Sequence, residues 1–130
     1  MPKEIRTIYF SHPLASYGTP ESLMVLKELQ KTYSKYKIID PEDIDGLYWE
    51  SCQDCMKNIM KKVFFPLIKK CEIFSIWAPK STCGIECELS YAWQIGKPVI
   101  YLSLSLEDEV EIEDLTLKEY HDVKLVMETV

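Results

Sequence analysis

The stretch Glu72-Ile73-Phe74-Ser75-Ile76-Trp77-Ala78-Pro79-Lys80-Ser81-Thr82-Cys83-Gly84-Ile85-Glu86-Cys87-Glu88-Leu89-Ser90-Tyr91-Ala92-Trp93-Gln94-Ile95-Gly96-Lys97-Pro98-Val99-Ile100-Tyr101-Leu102 decides the fold. Glu72–Ala78 is a short apolar run of strand length, closed by Pro79. A loop to Cys83 leads into a helix that ends at Gly96, a residue suited to the left-handed turn past a helix C-terminus. Pro98–Leu102 is then a second apolar strand. Two apolar strands joined through a helix are the unit of a parallel sheet.

The rest of the chain repeats this alternation. Arg6–Phe10 is an apolar run that stops at Ser11-His12-Pro13, and Thr19-Pro20-Glu21-Ser22 starts a helix with Thr19 as cap and proline in the first turn. Leu23, Val25, Leu26 and Leu29 make that helix's expected packing face. Tyr36–Asp40 is the next strand, ended by Pro41. Residues 41–50 read as a loop, and a helical region runs from about Glu50 to Lys70, bent before Pro66. Residues 103–130 are compatible with a helix through Leu117, Tyr120 and Lys124, or with an edge strand at Val123–Val126. The expected fold is a single α/β domain over residues 1–130: three layers, α/β/α, around an open, mostly parallel twisted sheet of Rossmann-like or flavodoxin-like type, with right-handed crossovers.

Composition narrows the function classes. The chain has 130 residues, 47% hydrophobic and 28% charged, enough for one real core. No run approaches the length of a membrane span, and the start Met-Pro-Lys-Glu-Ile-Arg leads into a strand, so a cytoplasmic protein is expected. The net charge of −6 is concentrated: residues 107–130 hold nine acids against Lys118 and Lys124, a −7 that leaves +1 for the remainder. Neither part is a basic stripe, which argues against long nucleic acid and leaves room for a single small anion held by backbone amides.

Glu88 is the most informative residue. At about 100° per residue, Ile85, Leu89, Ala92 and Ile95 share one sector and Glu88 falls inside it, while Glu86, Ser90 and Gln94 lie opposite. A carboxylate aimed at a core is costly to bury, so it belongs to a specific network or to chemistry. Ligands of open parallel sheets bind beyond the carboxyl ends of the strands. That edge collects Ser11, His12, Tyr17 and Gly18 after the first strand, Asp40 to Trp49 after the second, and Ser81, Thr82, Gly84 and Glu88 after the third. The third loop enters a helix whose free amides suit a phosphate. Tyr9, Tyr17, Tyr48 and Trp49 offer stacking surfaces for a base. Each residue also has a structural role open to it: dipole pairing for Glu88, a loop-fixing hydrogen bond for His12, capping for Ser81 and Thr82, strand termination for Asp40.

The motif Ile8-Tyr9-Phe10-Ser11, then Cys71-Glu72-Ile73-Phe74-Ser75-Ile76-Trp77, then Thr82-x-Gly84-x-x-x-Glu88-Leu89-x-x-Ala92-x-x-x-Gly96-Lys97-Pro98-Val99 resembles the nucleoside 2-deoxyribosyltransferase family, including its deoxynucleoside-monophosphate N-glycosidase branch, over roughly residues 5–103. The resemblance implies that Glu88 is the nucleophile attacking the anomeric carbon of a 2-deoxyribosyl group. It implies that Thr82 with Ser81 contacts phosphate or sugar, and that Tyr9, Ser11 and His12 close over base or sugar. It further implies a nucleoside or nucleotide substrate and a homodimer or larger assembly; no cofactor and no metal are expected. Two departures stand out. Where the family places an acid that assists base departure, this chain reads Val63-Phe64-Phe65-Pro66, leaving Asp40, Asp43, Asp45, Asp54 or His12 as alternatives. Ser11-His12-Pro13-Leu14 replaces the usual glycine after the first strand.

The five cysteines include Cys52-x-x-Cys55 and Cys83-x-x-x-Cys87, whose separation exceeds zinc-ribbon spacing; reduced thiols are expected. Three functional classes remain: an enzyme of the N-glycosidic bond, a non-catalytic nucleotide-sensing module, and an interaction domain using the acidic tail with Tyr48 and Trp49.

Overall fold

The computed structural model describes residues 6–13, 16–43, 63–79 and 83–114. Its elements, in chain order, are β1 (Thr7–Ser11), α1 (Pro20–Thr32), β2 (Lys37–Ile39), α2 (Phe65–Lys70), β3 (Ile73–Trp77), α3 (Cys83–Gln94), β4 (Val99–Leu104) and β5 (Val110–Asp114). The five strands form one sheet in the order β2-β1-β3-β4-β5, parallel except for β5, which pairs antiparallel with β4. This is the open, mostly parallel α/β sheet expected from the alternation of elements.

Each face of the sheet buries its own core, because successive strand residues point to opposite sides. Ile8, Phe10, Trp77, Ile100 and Leu102 pack with Val25 and Leu29 of α1. Tyr9, Phe74, Ile76 and Val99 pack on the other face with Ile68 of α2 and with Ile85, Leu89 and Ala92 of α3. Three layers result.

Local chemistry sets the helix ends. The Thr19 side chain accepts a hydrogen bond from Ser22 N at 3.2 Å, with Pro20 in the first turn. α3 closes in a Schellman motif: Lys97 N donates to Ala92 O at 3.0 Å and Gly96 N to Trp93 O at 3.1 Å. Gly96 sits at φ +76°, as that turn requires. Ile95 falls beyond the last helical residue and is 38% exposed, so it leaves the apolar sector expected of it.

A further expectation is corrected. Leu23 is half exposed and Ser22 is buried in its place. Ser22, Val25 and Leu29 share one side of α1, and Leu23 lies well over about 100° from their mean direction. A strand that the sequence reading did not foresee pairs beyond β4 at Val110–Asp114, where Val-Glu-Ile-Glu alternates with period two. Its turn is held by Ser105, whose Oγ accepts from Glu107 N at 3.2 Å and Glu109 N at 3.0 Å, while Asp108 takes φ 61°. The alternatives over residues 117–126 lie outside the described residues, as does most of the helix expected from Glu50. What is described of that helix is the turn from Val63 and α2, with Pro66 in its first turn. Among the described residues no helix is long and apolar enough to cross a membrane.

Candidate functional site

In this strand order β1 is central to the change of direction: the chain steps to β2 on one side of it and returns to β3 on the other. The crevice outside the carboxyl ends of β1 and β3 is therefore the switch point at which open α/β sheets receive ligands. Polar side chains are buried there on both faces.

On the α1 face, His12 continues the direction of Phe10 and stacks on it, ring centroids 4.4 Å apart, with the Tyr17 ring tilted against it at 4.8 Å. His12 is only 4% exposed. Its Nε2 lies 2.6 Å from Asp40 Oδ1 and its Nδ1 2.8 Å from Ser16 Oγ. Ser16 Oγ donates its single proton to Pro13 O at 2.6 Å, so it can only accept from the ring, and Nδ1 carries a hydrogen. Asp40, 8% exposed, also accepts from Glu42 N at 3.0 Å, an Asx turn that follows from Asp40-Pro41-Glu42. The cluster thus ties the loop after β1 to the end of β2. The Glu42 carboxylate lies over Gly18, its Oε1 3.8 Å from where a Cβ would stand, and Gly18 takes φ +73°. Donor atoms of His12, Asp40 and Glu42 fall within 4.8 Å of one another.

On the opposite face stand Tyr9, Ser11 and Glu88. Tyr9 is fully buried, its ring stacked on Phe74 at 5.7 Å. Ser11 is also fully buried, and its Oγ has no hydrogen-bond partner among the described residues. Glu88, in the α3 turn next to Ile85 and Leu89, is 6% exposed. An acid in that position faces the sheet, as its wheel position requires.

The residues singled out in the sequence therefore divide between two faces. Tyr9, Ser11 and Glu88 belong to the α2/α3 side; His12, Tyr17, Gly18 and Asp40 gather on the α1 side. Gly84 is in the first turn of α3, and Ser81 and Thr82 lie outside the described residues, with Asp45, Tyr48, Trp49, Asp54, Cys52 and Cys55. Asp43 N bonds Asp40 O at 3.1 Å in the turn after β2. The stretch without the expected acid serves packing: Phe64 is in the core, and Phe65 stacks on Tyr91 at 4.1 Å with the rings 2° from parallel. Cys71 and Cys87 are free thiols, the first buried and the second exposed. Burial, ahead of every other influence, pushes the Cys71 thiol above its ordinary pKa, which keeps it inert.

Ser16 and Glu42 were not among the residues the sequence pointed to. Their signals are local: Ser16 stands four residues after His12 across Pro13, and Glu42 two after Asp40. An open groove of about 620 Å³ between α1 and the β4–β5 turn is edged by Lys27, Lys31, Asp108 and Glu109, and belongs to neither cluster. A comparison with known protein families, with curated proteins and with solved structures finds no match to this chain.

Proposed function

We propose that the chain cleaves or transfers the N-glycosidic bond of a 2-deoxynucleoside or its 5′-monophosphate, with Glu88 as nucleophile. One observation carries this reading: a carboxylate 6% exposed, on the sheet-facing side of α3, at the carboxyl edge where the strand order reverses. Ser11 supports it, because a fully buried hydroxyl with no partner among the described residues is a group suited to a ligand. In the reaction a Glu88 oxygen attacks the anomeric carbon as the bond to the base nitrogen breaks, through an oxocarbenium-like state. The base leaves with that electron pair and takes a proton. Water or a second base then displaces Glu88 and releases the sugar. The protein's part is to hold the acid beneath the sugar and to exclude bulk water from it. A homodimer or larger assembly accompanies this proposal through the family resemblance.

The second reading is a nucleotide-binding module without turnover. It is favoured by Phe64 and Phe65, which fill with packed aromatic surface the stretch where an acid assisting base departure would stand.

Incubation with a panel of 2-deoxynucleosides and their monophosphates, with free base followed by chromatography, tests both. Base release that disappears in Glu88→Ala is the expected result. Thermal stabilisation by a nucleotide without release supports the second reading, and release that survives Glu88→Ala removes the mechanism.

A further inference from the structure

The cluster on the α1 face has a proton count that points to a cation. Ser16 Oγ spends its hydrogen on Pro13 O, so the His12 hydrogen is on Nδ1. In the neutral ring, Nε2 then presents a lone pair to an Asp40 oxygen 2.6 Å away. A nitrogen and a carboxylate oxygen at that separation share a proton or a cation between them. A proton can fill this position, and a metal ion can replace it. The surroundings supply further ligand oxygens. Glu42 adds a second carboxylate to the cluster, and among the described residues no Lys or Arg pairs with Asp40 or Glu42. Among the described residues, the group set against these two acids is a single imidazole.

We propose that His12 Nε2, Asp40 and Glu42 form a binding site for a divalent first-row transition cation, Zn²⁺, Co²⁺ or Mn²⁺. Imidazole with two carboxylates is a donor set for these ions, and its nitrogen disfavours Mg²⁺ and Ca²⁺. Donor atoms within 4.8 Å of one another span one ion whose bonds run about 2.0–2.2 Å. The Nε2 to Oδ1 gap opens by about half an ångström to seat it, since two ligands on one such ion stand about 3 Å apart. Ser16 is the outer partner that such a histidine ordinarily has: it fixes the tautomer and the ring plane through Nδ1–H. The half-buried position of Glu42 leaves coordination positions open on its side. This is a different use of His12 and Asp40 from contact with a nucleoside, and it does not depend on Glu88.

The test uses the full chain stripped with EDTA and titrated with CoCl₂ while its visible absorption is followed, with ZnCl₂ as competitor and MgCl₂ as comparison. Saturation at a single equivalent is expected, with ligand-field bands and no thiolate charge-transfer band, displacement by Zn²⁺ and none by Mg²⁺. His12→Ala should abolish the bands. Ser16→Ala should weaken binding about 10–100-fold, the range for loss of an outer partner. Glu42→Gln changes a half-buried side chain and keeps the fold, so it serves if His12→Ala fails to fold, and it should weaken Co²⁺ more than about 10-fold. Absence of ligand-field bands, a thiolate spectrum, or unchanged Co²⁺ affinity in Glu42→Gln overturns the proposal.

Discussion

The link between His12 and Asp40 is open to a double-mutant cycle with a sharp expected outcome. Both groups are buried, at 4% and 8% exposure, and meet at 2.6 Å. In His12→Ala the Asp40 carboxylate stays buried with the Glu42 amide as its remaining contact in the cluster, and removing one member of a buried pair costs about 3–5 kcal/mol. Loss of the Phe10 stack adds to that cost. Asp40→Ala leaves the ring facing an empty place and breaks the Asx turn as well. In the double variant no orphaned charge is left, so its cost falls short of the sum of the singles by about 2 kcal/mol, within the range of about 0.5–3 kcal/mol for residues in contact. Urea unfolding at neutral pH measures each corner. With a slope of about 1–3 kcal/mol/M, the His12→Ala midpoint should fall by about 1 M or more. Additive single variants, or a His12→Ala midpoint within a few tenths of a molar of the parent (~0.3 M), would refute the picture of this pair as the clamp between β1 and β2.

Three further outcomes follow from burial. Glu88→Leu should abolish base release; a stability loss above about 2 kcal/mol in urea unfolding would make the carboxylate a structural group. Leu29→Ala should cost about 2–5 kcal/mol in urea unfolding, because Leu29 is fully buried and α1 is the one described helix on its face, whereas Leu23→Ala should stay within about 0.5 kcal/mol. The folded Cys71 thiol has its pKa raised above the ordinary 9.0, chiefly by burial, so the fold favours the neutral form. Its contribution is complete below the pKa of the unfolded thiol and is lost as pH rises through the folded one; a thermal midpoint that declines in the alkaline range, less steeply in Cys71→Ala, is the check.

Much of the sheet was legible because its strands are apolar runs closed by Pro, Gly or a cap. β1, β3 and β4 begin or end within two residues of their expected bounds, and Gly96 announced the Schellman turn by its identity alone. β5 was missed since its period-two alternation is brief and lies in an acidic run, where the charge reads first as a solvated tail. Its stability comes from pairing with β4, a neighbour that a local pattern does not reveal. Leu23 was misplaced for a related reason: hydrophobicity ranked it above Ser22, while the wheel angle set by Val25 and Leu29 turned it outward.

The site shows the same contest between residue type and direction. Glu88 was found because helical period aims it inward despite its charge. Tyr9, Ser11 and His12 were grouped by closeness in sequence, yet a strand sends alternate side chains to opposite faces. Tyr9 faces α2 and α3, while His12 follows Phe10 toward α1. A ligand spanning both clusters would have to cross the end of β1 itself, over the peptide between Ser11 and His12. The two faces are therefore better understood as separate places on one edge: a carboxylate and a hydroxyl on one side, and on the other an imidazole and two carboxylates whose charges call for a cation. What joins them is β1, so a change that shifts the His12–Asp40 clamp acts on Ser11 through a single backbone bond.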